Sequence, residues 1–378
     1  MNNTQIRFNL IVLSLLFLPI QCFCQSSRFN WEKAKPETEG VSSSTLNNAT
    51  KYLDANFPYY RAMIIIRHDK EIYEKRNNKK VFSSSSDSIK AYISSYSNIR
   101  YTLLDSIGNL HNIRSCSKSI ISLLIGIAIE KGYINSVNDP VSMYLPEYFT
   151  NCTDSIKKTI TIKHLLTHKS GLINIDKHLD FINNKDWVNF ILRAPLTSKP
   201  GEVFDYNTAN THILSAVITK VTHKNALEFA KDKLFNPLGI RNVKWQCDPV
   251  GNSFGGANLF MSVDDLAKIG YLILKDGNWH GKQIINKRWL NDSFKCYHHW
   301  IYDYNYGYLW YTKEYEDENN KKKYLVKEAA GTGGQRIYII PQFDMVIAVV
   351  SDTDFSRDKS YFLNYMIGKY ILPSVSDK

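Results

Sequence analysis

Residues 115–130 read Ser-Cys-Ser-Lys-Ser-Ile-Ile-Ser-Leu-Leu-Ile-Gly-Ile-Ala-Ile-Glu. The reading of the whole chain turns on this stretch. From Ser119 onward it is apolar nearly all round, with Ile120, Ile121, Leu123, Leu124, Ile125, Ile127 and Ile129. A helix without a polar stripe is a buried helix, and Gly132 is placed to end it. Ser115 and Lys118, three apart at its start, face the same side. A serine hydroxyl is a poor nucleophile until a base removes its proton. A lysine one turn along can do so where burial disfavours its charged form. The bland alternative is a helix-capping serine with an exposed lysine. The spacing alone decides nothing, because Ser155/Lys158 and Ser356/Lys359 repeat it. Only Ser115 opens a buried helix.

Two further stretches bear on chemistry. Pro200-Gly201-Glu202-Val203-Phe204-Asp205 leads into Tyr206-Asn207-Thr208. A tyrosine near a serine and a lysine can pass a proton to a leaving group; a core tyrosine at a helix start is the ordinary alternative. Ala329-Ala330-Gly331-Thr332-Gly333-Gly334-Gln335 leads into a strand. Gly331 and Gly333 let the backbone approach a substrate closely, and an N–H there, with that of Ser115, is suited to hold an oxyanion. A plain loop or bulge is the alternative.

Around these, the pattern gives strands at both ends and helices between. Arg61–Arg67, a turn at His68-Asp69-Lys70 and Glu71–Lys75 read as a hairpin, and Tyr101–Ile113 as a second one turning at Gly108-Asn109. Asn77–Ser97 is polar and Ser-rich, a surface loop. Helices are predicted at Thr161–Thr167, Asn207–Val221, Ala226–Phe235, Ser262–Leu274 and Tyr361–Tyr370, and strands at Tyr324–Val326, Arg336–Ile340 and Met345–Val350. Asn291–Cys296 reads as loop. The run Tyr297, Trp300, Tyr302, Tyr304, Tyr306, Tyr308, Trp310, Tyr311 fits a substrate cleft and core packing equally. This order predicts an α/β (α+β) fold: an antiparallel sheet flanked by helices, with an inserted all-helical domain. The expected divisions are a leader at 1–24, a sheet domain from 25–114 plus 256–378, and a helical domain at 115–255.

The motifs taken in order resemble the serine β-lactamase and penicillin-binding-protein superfamily. The branch with class C β-lactamases, esterases and 6-aminohexanoate-dimer hydrolases is the most similar. His164-Leu165-Leu166-Thr167-His168-Lys169-Ser170-Gly171-Leu172 resembles its His-Leu-Leu-Thr-His-x-Ser-Gly-Leu segment. Phe204–Asn210 resembles its tyrosine motif; Ser262–Ala267 and Gly333–Pro341 fit as well. The resemblance runs from about Trp31 to Ile371. It implies a β-lactamase/transpeptidase-like fold and hydrolysis through an acyl-enzyme. Ser115 would be the nucleophile, Lys118 the base and Tyr206 its partner, with Ser115 and Thr332 N–H groups as oxyanion donors. It implies no metal and no organic cofactor. Two departures stand out. Thr208 occupies a position that is usually Asn or Ser, and Ala329 one that often carries Lys or His. The missing cation favours a small-molecule ester or amide over a β-lactam or a D-Ala-D-Ala peptide. A catalytically silent, envelope-binding relative is the alternative of another class.

Rival motifs are weaker. Gly251-Asn252-Ser253-Phe254-Gly255 matches a nucleophile elbow, with Asp265 and His298 or His299 following, but lacks the strand before it and the helix after it. His164 and His168 are spaced for zinc, yet Leu165 stands where the acid of that motif belongs. Tyr96-Ser97-Asn98 copies the tyrosine motif in a polar loop. The 378 residues carry 47 Lys and Arg against 36 Asp and Glu, a net charge of +11. The charges are interspersed, which excludes a nucleic-acid stripe and suits an anionic envelope. Arg7, the apolar run Leu10–Ile20 and Cys22-Phe23-Cys24-Gln25 read as a secretory signal cut before Gln25, with lipidation at Cys22 or Cys24 as the second reading. Export would permit disulfides among Cys116, Cys152, Cys247 and Cys296, although Cys116 is expected buried and free. Oligomeric state is not written in the pattern.

Overall fold

The computed structural model describes residues 29–77, 105–150, 152–352 and 361–376. The leader, the Ser-rich loop, Tyr96-Ser97-Asn98 and Ser356/Lys359 lie outside them. A nine-stranded sheet organises the molecule. Its strands are β1 Glu32–Lys33, β2 Tyr60–Arg67, β3 Lys70–Arg76, β4 His298–His299, β5 Asn305–Tyr306, β6 Tyr311–Glu316, β7 Lys323–Gly331, β8 Gln335–Ile340 and β9 Met345–Ser351. They lie in the order β1-β3-β2-β9-β8-β7-β6-β5-β4. Both ends of the chain supply it, joined where β9 pairs antiparallel with β2. Every pairing is antiparallel except the short β1 against β3. The β2–β3 turn forms at His68 and Asp69, both in the left-handed region (φ 48 and 67), a conformation that His and Asp accept more readily than branched residues.

The central strands bury both faces, so their sequences are runs of Ile and Val rather than alternations. The pleat still sorts them. Ile64, Ile66, Ile337, Ile339, Val346 and Ala348 join one core; Met63, Ile65, Tyr338, Ile340, Ile347 and Val349 join the other. On the second face lie α1 (Ser43–Asn56), unforeseen in the sequence, and the closing helix α5 (Tyr361–Met366) with its continuation. On the first face lies α4 (Val263–Leu274). It packs closely because Gly270 has no side chain: a Cβ there would stand 2.5 Å from Val346 and 2.7 Å from Ile337.

Between the strand groups stand α2 (Cys116–Glu130) and α3 (Thr208–Thr222), packed in the first core. Residues 116 to 128 of α2 are all buried, as the absence of a polar stripe predicts. The hairpin at Gly108-Asn109 pairs Ser106–Ile107 with Leu110–Asn112 and belongs to a separate small sheet with Leu259–Met261 and Lys244–Trp245. Asn291–Cys296, expected as loop, is partly helical: Lys287–Ser293 forms a helix capped by Asn286 and anchored by Trp289 and Leu290. The helix expected over Ala226–Phe235 forms as Ala226–Ala230 continued by a π turn, Lys231–Phe235. All four described cysteines are free, and Cys116 is buried. Among the described residues no helix is long and apolar enough to cross a membrane.

Candidate active site

The start of α2 is a braced turn. Arg114, just before Ser115, has φ +50, a costly conformation for a residue with a side chain. Three contacts hold it. Its N–H donates to Asn112 Oδ1 at 3.0 Å, its guanidinium pairs with Asp105 at 2.9 Å, and its carbonyl accepts from Ser117 Oγ at 2.6 Å. Asn112 is itself fixed by donating to Asn258 Oδ1 at 3.0 Å. Ser115 stands at the cap position, but its side chain makes no cap hydrogen bond. Its hydroxyl instead faces Lys118, whose Nζ lies 3.2 Å away. Lys118 is only 3% exposed. The capping-serine, exposed-lysine alternative therefore does not describe this turn. Ser155 and Lys158, by contrast, are both exposed.

Two more acceptors fix the Lys118 amine: Thr208 Oγ1 at 3.0 Å and the Gly256 carbonyl at 2.8 Å. Thr208, the apparent departure at the third motif position, thus supplies a hydroxyl to the lysine. Its methyl fits because residue 256 is glycine; a Cβ there would lie 2.2 Å from Thr208 Cγ2. Gly256 was not visible as a site residue in the sequence, where it follows the decoy motif ending at Gly255 and reads as loop.

Tyr206 precedes α3, and its ring faces Lys118, with Nζ 4.9 Å from the ring centre. No hydrogen bond is described from its hydroxyl to Ser115 or Lys118; the described hydroxyl neighbour is that of Tyr311. The ring sits among His168 at 4.7 Å, Trp300 at 5.1 Å and Tyr306 at 6.1 Å. The backbone of this motif is tied down by buried Asn207. Its amide donates to the carbonyls of Leu172 and Ile173 at 3.0 and 2.9 Å, and its oxygen caps α3 through Ala209 N–H at 2.9 Å. His168 completes the brace. Its Nδ1 accepts from Asn207 N–H at 3.3 Å and lies 3.0 Å from Asn210 Nδ2. Burial, and then Lys118 nearby, hold the His168 pKa well below the ordinary histidine value, so it serves as a neutral acceptor.

The Gly-rich stretch ends β7 beside this turn. A Cβ on Gly331 would lie 2.5 Å from the Ile113 carbonyl and 3.1 Å from Arg114 Cβ, so the strand end lies close against the Ser115 turn because residue 331 has no side chain. Thr332 and Gly333 form the turn into β8, and Gly333 has φ +80. The N–H groups of Ser115 and Thr332 donate to none of the described backbone or side-chain acceptors. Ala329 is fully buried in the core, while Ala330 lines a cavity. The missing cation at Ala329 therefore says nothing about the cleft, since that side chain points away from it.

The rival motifs dissolve. Ser253 is fully buried, its hydroxyl accepting from Leu227 N–H at 3.1 Å, and no helix follows it. Asp265 pairs with Lys268, and His298 stacks on Phe204. His164 and His168 do not share a helix face, because the helix is Ile162–Leu166 and His168 lies beyond it with φ +53. His164 instead closes a capping box with Thr161.

The aromatic run divides between the two roles offered for it. Tyr306, Tyr308 and Trp310 are buried. Trp300, Tyr302, Tyr304 and Tyr311, with Lys313 and Ala330, line a cavity of about 700 Å³. Two of its walls, Trp300 and Tyr311, adjoin Tyr206.

With this geometry in hand, comparison with known proteins is specific. The family model for Beta-lactamase matches residues 106–365. An uncharacterised protein of Alkalihalophilus pseudofirmus is 26% identical over 290 residues, 68% of this chain and 76% of that one. A teichoic acid D-alanine hydrolase of Staphylococcus aureus is 29% identical over 181 residues, 42% of this chain and 44% of that protein, so the match spans less than half its length. Among solved structures, a Bacillus anthracis protein assigned to the 6-aminohexanoate-dimer hydrolases superposes with a TM-score of 0.67. It is 19% identical and covers 92% of this chain and 87% of its own.

Proposed function

This chain belongs to the beta-lactamase family, and from that premise we propose that it is a serine hydrolase of amide or ester bonds working through an acyl-enzyme. The observation that carries the reading is the Ser115–Lys118 contact of 3.2 Å, with the lysine buried and fixed by Thr208 and Gly256. Ser115 Oγ attacks the substrate carbonyl carbon while its proton passes to the Lys118 amine. The carbonyl electron pair moves to oxygen, which the N–H groups of Ser115 and Thr332 receive, with Gly331 and Gly333 keeping that approach clear of side chains. Collapse expels the leaving group, which takes a proton relayed through Lys118 and the Tyr206 hydroxyl once substrate has entered. Water then attacks the ester on Ser115 by the same route and releases the acid. No step calls for a metal or an organic cofactor.

The substrate reading is a small-molecule ester or simple amide, in the manner of esterases and 6-aminohexanoate-dimer hydrolases. Its support is the uncharged alanine at 330, which lines the cavity beside Tyr206. The leader-like first 24 residues and the basic balance of charge support export and work beside an anionic envelope.

The test uses protein lacking residues 1–24, a fluorophosphonate probe and intact mass. Wild type and Ser253→Ala should both gain one adduct, and Ser115→Ala none. Turnover of p-nitrophenyl butyrate, nitrocefin and a linear 6-aminohexanoate amide then ranks ester, β-lactam and amide. Loss of labelling in Ser253→Ala alone would sink the assignment of Ser115. A wild type that neither labels nor turns over any substrate would favour a silent binding relative.

A further inference from the structure

The cavity beside Tyr206 has a chemistry of its own. Its walls are the rings of Trp300, Tyr302, Tyr304 and Tyr311, with Lys313, Arg336 and Asn364 set among them. Asn364 donates to the Tyr304 hydroxyl and accepts from Tyr338, both at 2.9 Å. The Tyr304 hydroxyl also lies 3.0 Å from that of Tyr315 and donates to Glu328 at 3.4 Å. Lys313 donates to the Tyr302 carbonyl at 2.8 Å and covers the rings of Tyr304 and Tyr315. Arg336 donates to the carbonyls of Gly331 and Gln335, both at 3.0 Å. A flat apolar group would cover the rings and leave these bonds undisturbed. At about 700 Å³ the space is of the size that small molecules occupy. Its mouth is marked by Ile301, Tyr302 and Tyr361, which are 61%, 77% and 60% exposed, a concentration of apolar surface unusual away from a binding region.

We infer that this cavity is a specificity subsite that takes a flat, uncharged, apolar group, an aryl ring above all, carried on one side of the scissile carbonyl. The inference rests on Ser115 as the nucleophile. Trp300 and Tyr311 adjoin Tyr206, and Ala330 precedes Gly331 at the proposed oxyanion site, so a group seated here is tethered close to the reacting carbonyl. Ala330 leaves room on its side of the cavity, and a larger residue there would narrow it.

The test separates binding from chemistry. Ser115→Ala protein is titrated, by calorimetry or ligand-observed NMR, with methyl 3-phenylpropionate, methyl hexanoate and sodium 3-phenylpropionate. The aryl ester should bind about fivefold or more tighter than the alkyl ester, in line with what aromatic contacts add beyond buried area, and the anion should bind no better. Trp300→Leu removes a wall and Ala330→Leu fills the space; each, added to Ser115→Ala and checked for an unchanged urea midpoint, should bring the aryl-to-alkyl ratio close to one. Equal binding of aryl and alkyl esters, an unchanged ratio in both variants, or preference for the anion would overturn the subsite. Fluorophosphonate labelling of wild type reports separately on Ser115. Labelling without an aryl preference removes the subsite alone; an aryl preference without labelling removes the hydrolase reading and, with it, the subsite's role in specificity, leaving only an aryl-binding cavity.

Discussion

Replacing Gly256 by alanine should misplace Lys118, the proposed base, and replacing Thr208 by serine should put it back. A Cβ on residue 256 would stand 2.2 Å from Thr208 Cγ2 and 3.0 Å from both Thr208 Cβ and Oγ1. Carbon atoms settle at about 3.5–4.0 Å, so the two segments must part by roughly 1 Å. Overpacking of this kind costs about 1–3 kcal/mol. The displaced groups are the Gly256 carbonyl and the Thr208 hydroxyl, two of the three acceptors that fix Lys118. A misplacement of about 1 Å at reacting groups lowers rate by roughly 10²-fold. Thr208→Ser deletes the clashing methyl and keeps the hydroxyl. Alone it should cost no more than about 1 kcal/mol; with Gly256→Ala it should recover most of the loss, a coupling of about 1–2 kcal/mol. The assay is the second-order rate of fluorophosphonate labelling at Ser115, with urea midpoints run beside it. A Gly256→Ala protein that labels as fast as wild type, or one that Thr208→Ser leaves equally slow, would refute the claim that this contact sets the position of Lys118.

Gly331→Ala brings a Cβ to 2.5 Å from the Ile113 carbonyl and should slow labelling at least about tenfold, within the effect of losing an oxyanion donor, while the urea midpoint falls modestly. Asn207→Ala strips two buried carbonyls of a donor and removes the α3 cap; a loss of about 3 kcal/mol in urea unfolding is expected. Glu328 is fully buried, and burial raises its pKa to about 7, against opposing hydrogen bonds from Tyr315 and Tyr304 and the charge of Arg336. The unfolded chain releases that proton near 4.5, so the folded state binds more protons between the two values. Stability attached to this group is full below pH 4.5 and is lost as pH rises through 7, up to about 3 kcal/mol. Melting temperatures from pH 5 to 8 should show that fall in wild type and a flatter curve in Glu328→Gln.

Much of this was legible in the chain because burial leaves a residue signature. The apolar run Ile120–Ile129 forces a buried helix, and a buried helix holds Ser115 rigid. The Ile-rich strands lie where both faces of a sheet are covered. What escaped had no such signature. The helix Ser43–Asn56 has a weakly apolar face, with Leu46, Ala49 and Leu53 spread over a polar sequence. Gly256 acts through the side chain it lacks and through its carbonyl, and neither is written in residue type. The apparent defect at Thr208 became intelligible only with its neighbour: Gly256 leaves room for the threonine methyl, and the hydroxyl meets Lys118.

The aromatic stretch shows where pattern stops and pairing begins. From Tyr302 to Tyr308 a tyrosine stands at every second residue, a period that fits a strand with one covered face, and the sequence offers no reason to separate Tyr304 from Tyr306. The separation comes from register. Tyr306 pairs with both His298 and Tyr311 and is buried against His168, whereas Tyr302 has a left-handed backbone (φ 57) and turns out of the sheet. Trp300, Tyr302 and Tyr304 line the cavity, while Tyr306, Tyr308 and Trp310 are buried. The same logic applies at β7, where one step of the pleat sends Ala329 into the core and Ala330 to the cavity. A cation sought at Ala329 is sought on the wrong face. What β7 presents to the cavity is therefore Ala330, beside the rings of Trp300, Tyr302, Tyr304 and Tyr311, and the aryl subsite proposed there stands on those rings and not on residue 329.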